Sequence, residues 1–243
     1  VRLEVLESQL LEAPHGFPTR AGGASLGAFA SLNASLVVGD APELVEVNLE
    51  RLARHAGGHI ATVRQVHGAV VLRAPVSPEA PADGLWTSTP GGVVGVRTAD
   101  CVPILIEDRA SGRVAAVHAG WRGVEARIVE VAVQALVADG ARVADLRVAT
   151  GPCIQRCCYE VDGDLPGRFS AAFGPAVVVA QPGAARLHLD LPLALERSLA
   201  AIGLLADQLD RLGECTCCDQ RFFSHRRDRG LTGRHLNFIR SPA

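Results

Sequence analysis

Residues 93–123 read VVGVRTADCVPILIEDRASGRVAAVHAGWRG, three short apolar runs separated by polar breaks. Val93, Val94 and Val96 form the first, Val102, Ile104, Leu105 and Ile106 the second, and Val114 to Val117 the third. Short β-branched runs bounded by turn residues are the signature of buried strands. The ends of these runs carry ligand-type side chains: Cys101 after Thr98-Ala99-Asp100, and His118 before Ala119-Gly120-Trp121-Arg122-Gly123. Upstream, His67 closes another β-like run, Ala61 to Val66. Adjacent strands lie about 4.8 Å apart, so strand ends can bring distant residues to one point. Two imidazoles and a thiolate suit a divalent metal, zinc first, and catalytic zinc sites use three protein ligands and keep one position open. The spacing also allows a buried apolar Cys101 and hydrogen-bonded histidines.

Around this stretch the chain reads as helices and shorter strands. Residues 1–12 suggest an opening strand, and 15–27 a glycine-rich loop whose backbone could approach a ligand closely. Asp40 is placed to cap a helix with Pro42 in its first turn, an inner face of Val45, Leu49, Leu52, Ala53 and Ala56, and a stop at Gly57-Gly58. Val124, Ile128, Val131, Ala135 and Ala138 predict a helix over 124–139. It would place Arg122 near a helix N-terminus, where anions are favoured. Leu146 to Ala149 predicts a strand, and Asp190 and Pro192 open a helix ending at Gly203. Residues 162–189 carry little signal beyond an apolar run, Ala176 to Ala180. The expected class is α+β, mixed sheets packed in layers with helices outside, as a single domain over 1–243.

The composition of the 243 residues is globular: 48% apolar, 21% charged, with a formal net charge of −2. It gives no reason to expect nucleic acid or a membrane surface as partner. Acidic residues interrupt the first apolar stretch, so no secretory signal is read and a cytoplasmic location is expected. Seven cysteines argue against a complete disulfide framework. They fall into two groups, Cys153, Cys157 and Cys158, and Cys215, Cys217 and Cys218. Neither group is read as having the two-residue gap usual in zinc sites, so free thiols are favoured over a second, structural zinc.

Several segments, in order along nearly the whole chain, resemble the YfiH family, once described as multicopper polyphenol oxidase (laccase) domain proteins. They are His15 to Gly23, Ser31-Leu32-Asn33, Gln65-Val66-His67-Gly68, Thr98-Ala99-Asp100-Cys101 and Val117 to Gly123. Gly151-Pro152-Cys153-Ile154, Cys157 to Val161, Phe222 to Asp228 and Thr232-Gly233-Arg234 complete the set. The resemblance implies a YfiH-like fold, zinc held by His67, Cys101 and His118, and phosphorolysis of purine nucleosides such as adenosine or inosine, with adenosine deamination also reported. A zinc-bound water can reach a pKa of about 7 and could attack C6 of adenine. Phosphorolysis needs phosphate held at the anomeric carbon, which guanidinium groups suit. Arg20, Arg64 and Arg226 are the phosphate candidates, with Arg64 counted among the catalytic ones. Asp100 is the second catalytic candidate, moving a proton or merely fixing its loop. Asn33 is a candidate for binding ribose or base; Asp83 is placed either to orient a metal-bound histidine or simply to form an aspartate–glycine turn. A cysteine hydrolase using Cys101 and a histidine remains an alternative. Copper-dependent phenol oxidation is less favoured, because the chain has no methionine for an axial copper ligand. Departures from the family pattern at Pro18, His225 and Arg229 bear on substrate preference, since the ligand motifs are intact.

Overall fold

The structure, a computed structural model, describes residues 3–243. Two mixed sheets lie face to face. One has five strands in the order Val5–Leu6, His15–Pro18, His235–Arg240, Val93–Thr98, Ile60–Ala61. The other has six, in the order Leu209–Arg211, Leu146–Thr150, Val102–Asp108, Val114–Ala119, Gly84–Thr87, Val71–Arg73. A small antiparallel sheet of Glu160–Val161, Leu187–Leu189 and Val178–Ala180 stands apart.

Strand Val102–Asp108 is buried along its whole length, which explains its unbroken apolar run. Successive side chains point to opposite faces. Leu105 joins Phe17, Val94, Val96, Ala116 and Ile239 between the two sheets. Ile104 and Ile106 face the other way, into a core with Ile128, Val129, Leu136, Phe169, Leu195 and Leu199. All three are fully buried, and each such side chain contributes about 1.5–3 kcal/mol. Helices close both outer faces. The first, α1 (Pro42–Ala56), packs Leu52 and Ala56 against Ile60, Val93, Leu236 and Phe238. On the far side lie α2 (Trp121–Glu125), α3 (Ile128–Ala138), α4 (Leu165–Phe173) and α5 (Leu191–Ala201). The result is the expected α+β class, as helix, sheet, sheet and helix layers.

Local expectations fared unevenly. Gly57 ends α1 in the left-handed conformation, but Asp40 does not cap it; its carboxylate accepts from the Ala41 and Asn33 side of the loop instead. Asp190 does cap α5, accepting from the Leu193 N–H at 3.0 Å. The predicted helix over 124–139 is two helices, broken where Arg127 takes a left-handed φ of 62°. The Arg127 guanidinium binds Ser198 and the Ala172 carbonyl and lies over Phe173, contacts distant in sequence that fix the break. Helix α4 was not expected, because Pro166 and Gly167 mask its start. Nor is the 15–27 segment an open loop. It begins as the strand His15–Pro18, and its remainder is tied to α1 by Asn48, whose side chain bonds Ala24, Ser25, Ser31 and Asn33, and by Arg51, which donates to the Gly22 carbonyl. A Cβ at Gly23 would lie 1.9 Å from the Ser31 carbonyl oxygen, so the close approach this glycine permits is to its own chain.

His235 gives the fold a pH dependence. Its Nε2 accepts from the Phe223 N–H at 2.8 Å, between the rings of Phe222 and Phe223. Burial above all, with the charges of Arg20 and Arg234, holds its pKa down to about 3. The unfolded chain takes up that proton near pH 6.5. The depressed group therefore lowers stability as pH falls from about 6.5 towards 3, by up to about 1.4 kcal/mol per pH unit. His235→Phe should flatten the fall in urea midpoint between about pH 7 and pH 4, while lowering stability at neutral pH because the Phe223 amide loses its acceptor.

Candidate metal centre

Both crossings that run from the five-stranded sheet to the six-stranded one supply a residue to one point. Segment 62–70 runs from Ile60–Ala61 in the first sheet to Val71–Arg73 in the second, and carries His67. Residues 99–101 run from Val93–Thr98 to Val102–Asp108, and end on Cys101. His118 comes from Val114–Ala119, where it pairs with Pro103. One ligand atom from each of the three residues lies within 4.8 Å of the others. The imidazole rings of His67 and His118 are 4.9 Å apart and nearly perpendicular. His118 is buried, Cys101 half-buried and His67 exposed, so the group is reached from the His67 side.

Asp83, fully buried, organises two of the three. Its Oδ1 accepts from His118 Nδ1 at 2.8 Å, which leaves Nε2 for a cation. The same carboxylate accepts from the backbone N–H groups of Val66, His67 and Gly68 at 3.2, 2.9 and 2.6 Å. These bonds stabilise His67 at a φ of 59°, so this histidine sits in a loop and not, as its sequence suggests, at a strand end. Gln65 fastens the loop further, exchanging two 2.7 Å hydrogen bonds with the Arg97 backbone. Burial pushes the Asp83 carboxyl up, but its donors outweigh this and hold it below the usual range. Burial likewise pushes the Cys101 thiol up, but the charges and hydrogen bonds of His118 and His67 bring it down to about 6. For His118, burial favours the neutral ring, while Cys101 and Asp83 raise it to about 9. The two shifts run in the direction that favours charge on both Cys101 and His118.

Gly120 leaves room for this packing. A Cβ there would meet Cys101 Sγ at 3.2 Å and His67 Cδ2 at 3.3 Å. Gly120→Ala should therefore displace both ligands by a few tenths of an ångström. It should weaken metal binding about 10-fold, the low end of what misplaced supporting groups cost. Chelator competition measures this, and a melting temperature close to that of the parent would show the effect to be local.

The other candidates divide. Asp100 has a φ of 95°, and both its carboxylate oxygens are engaged at 2.6 Å, by the Thr216 hydroxyl and the Arg226 N–H. This geometry fits the loop-fixing role and leaves little for proton transfer. Asn33 is sealed in the interior with its amide fully used, by Ser35, Asp40 and the Arg234 N–H. In this arrangement it shapes the loop beside Arg234. The Arg64 side chain is exposed, with Nε donating to the Glu79 carbonyl at 3.4 Å. Arg20 lies over Phe223 with Nε on the Ala30 carbonyl. Arg226 donates to the Glu160 carbonyl at 3.1 Å and lies over the Tyr159 ring.

Tyr159 is the residue that sequence reasoning passed over. Burial raises its phenol, the Cys101 charge adds to this, and the charges of Arg226 and Arg122 oppose it; the Arg226 guanidinium lies 5.3 Å from the ring centroid. Arg234 also belongs here: burial lowers its pKa, and the charges of Cys101 and Asp100 push back. The available signal was that Tyr159 is the only tyrosine in the chain and lies within a family-like motif.

Comparison with known proteins agrees with this frame. A purine nucleoside phosphorylase of Deinococcus radiodurans is 39% identical, matching 99% of this chain and 94% of its own. Purine nucleoside phosphorylase YfiH of Escherichia coli is 36% identical over 91% and 90%. The crystal structure of YlmD from Geobacillus stearothermophilus superposes with a TM-score of 0.88 at 34% identity, covering 96% of this chain and 93% of that one. The family model described as "Multi-copper polyphenol oxidoreductase laccase" matches residues 14–241, and the chain belongs to this family, that of YfiH and YlmD.

Proposed function

We propose that the protein is a zinc-dependent purine nucleoside phosphorylase, converting a nucleoside such as adenosine or inosine and phosphate to the free base and ribose 1-phosphate. The observation that carries this reading is the convergence of His67, Cys101 and His118 in a chain whose relatives bear that name. The donor set fits zinc: two imidazole nitrogens, a thiol already held low, and a carboxylate orienting one imidazole. Among the described residues no fourth His, Cys, Asp or Glu joins this group, as suits a catalytic rather than a closed structural site. Zinc bound there supplies a Lewis acid.

The chain's own groups account for the anion. Phosphorolysis joins a phosphate oxygen to the anomeric carbon as the glycosidic bond breaks and its electron pair leaves with the purine. Arg226, over the Tyr159 ring, is the first guanidinium donor for phosphate, and the charges of Arg122 and Arg234 act on Tyr159 and Cys101 respectively. Tyr159 offers a ring face to a base and a hydroxyl at its edge. Asp100 holds the Arg226 backbone in place. Arg226→Gln should raise the phosphate KM at least about 10-fold, since hydrogen bonds to charged groups are worth about 1.5–3 kcal/mol. The nucleoside KM should change little.

A second reading rests on the closeness of the Cys101 thiol to His67 and His118, an arrangement of nucleophile and base that suits a cysteine hydrolase. The two readings compete for one sulfur. The deciding experiment incubates metal-analysed protein with adenosine and inosine, with and without phosphate, and separates bases, ribose 1-phosphate and ammonia. Base and ribose 1-phosphate formed only with phosphate, by zinc-containing protein, is the expected result. Ammonia released from adenosine without phosphate would add deamination at the same centre. Turnover by metal-free protein that alkylation of Cys101 abolishes would favour the hydrolase, and copper-dependent phenol oxidation the older family description.

A further inference from the structure

A second group of sulfur atoms converges outside the three-ligand centre. Cys157, Cys158, Cys215 and Cys218 each bring Sγ to one place, all within 4.8 Å of one another. Cys158 Sγ and Cys218 Sγ are 3.2 Å apart, and Cys157 Sγ and Cys218 Sγ 3.6 Å. We propose that these four cysteines form a structural zinc site that clips segment 153–160 to segment 214–219, independently of the centre at His118.

The sequence reading discounted such a site for want of a two-residue gap, and that reading needs correcting. Cys215 and Cys218 enclose Thr216-Cys217, which is that gap; the adjacent pair Cys217-Cys218 obscured it. The backbone around it is already built. Cys218 and Asp219 N–H groups donate to the Cys215 carbonyl at 3.1 and 2.9 Å, closing a tight turn. On the opposite segment, Cys158 and Tyr159 N–H groups do the same to the Gln155 carbonyl at 2.9 and 3.1 Å. The two turns are held together by a bridge between Cys153 and Cys215, with Cys153 N–H to the Glu214 carbonyl and Thr216 N–H to the Cys153 carbonyl. Cys153 and Cys217 stay outside the four-sulfur group.

The distances suit a tetrahedral cage. Zinc–sulfur bonds of about 2.3 Å place the corners of a tetrahedron about 3.8 Å apart. The two shortest separations, 3.2 and 3.6 Å, and the outer limit of 4.8 Å bracket that value, so side-chain rotations within the existing turns would suffice. An amide N–H from Gln155 already points at Cys215 Sγ from 3.4 Å, the kind of donor that supports a bound thiolate. Electrostatics agrees. At Cys215 the effect of burial is outweighed by amide donors, and its pKa falls. Burial and the neighbouring thiol of Cys218 push Cys157 up to about 12, and Cys158 rises as well. Four thiols so close cannot all ionise without a cation among them. A divalent ion would bind as the thiols release their protons, with no change in sulfur oxidation state.

The clip has consequences at the other centre. Segment 214–219 supplies the Thr216 hydroxyl to Asp100, and segment 153–160 carries Tyr159, which underlies Arg226. Cross-linking turns some sixty residues apart would fix both without a disulfide.

The test uses the full chain, purified under reduction, freed of metal and reloaded with zinc alone. Wild type should hold about two zinc ions per chain and the His67→Ala/His118→Ala variant about one. X-ray absorption of that variant should show about four sulfur neighbours at about 2.3 Å. Cys157→Ser/Cys218→Ser should lose one ion while keeping the mixed nitrogen–sulfur centre. Should the histidine variant fail to fold, wild type decides alone: about 2.5 sulfurs per zinc on average supports the site. A single mixed-ligand zinc in wild type, a histidine variant that folds but holds none, or a Cys158–Cys218 disulfide in protein kept reduced would overturn it. Since the histidine variant lacks the first centre, these outcomes are separate from the fate of the phosphorylase reading.

Discussion

His118→Ala should remove zinc from the His67–Cys101–His118 centre and lower kcat/KM for phosphorolysis by about 10³-fold or more, while the protein stays folded. The figure follows from what a Lewis acid contributes to a transition state, several kcal/mol, at about 1.4 kcal/mol per factor of ten. Persistence of the fold follows from the surroundings. Asp83 would lose one donor but keep the N–H groups of Val66, His67 and Gly68, so the His67 loop remains held. The cavity left is at a strand end, beside exposed His67, where water can enter. Zinc content, kcat/KM and a thermal melt of the same preparation make the measurement. Full turnover by protein shown to lack zinc at this centre would end the zinc-dependent reading.

The second large effect belongs to Asp83, and it is on stability. The carboxylate is fully buried and answers four donors, three amides and the His118 ring. Removing one partner from a buried charged network typically costs about 3–5 kcal/mol, because the remaining groups cannot return to water. Asp83→Ala should lose that much in urea unfolding at neutral pH without metal, and release zinc besides. Asp83→Asn keeps the volume but turns an acceptor towards one donor into an amide group; a drop of about 10–100-fold in zinc affinity is expected. The sign of the pH effect is set by the lowered pKa of this carboxyl. Its contribution is present above the unfolded value near 3.9 and is lost as pH falls through the lower folded value. A variant as stable as wild type would mean that the loop amides find other acceptors.

How much of this was legible in the sequence depended on the range of the contacts involved. The strands around Val102–Asp108 were readable because burial on both faces leaves an unbroken apolar run, and Asp190 was readable as a cap because its acceptor role is settled three residues away. Cys101 and His118 stood out as ligand types at strand ends. The loop geometry of His67 did not, because it is imposed by Asp83 and Arg97, 16 and 32 residues away from their partners. Asn33 reads as a ligand contact because it is polar and lies in a motif, while the bonds its amide makes here, to a turn and to Arg234, 201 residues on, leave no mark in the sequence. The break at Arg127 was hidden for the same reason: the apolar period runs through it, and what stops the helix is a contact with Ser198. Among the arginines composition could not choose, since guanidinium groups near Cys101 and those tied to distant carbonyls look alike in a row of letters.

Two of the three ligands ride on segments where the chain steps from the first large sheet to the second, and the third is fixed in the second sheet. A cation gripped there is a rivet through both layers. Any sliding of one layer over the other would pull the triangle open, so shear between sheets and escape of the ion become a single event. Heat inactivation should then track loss of the rivet, and an excess of free zinc should slow it.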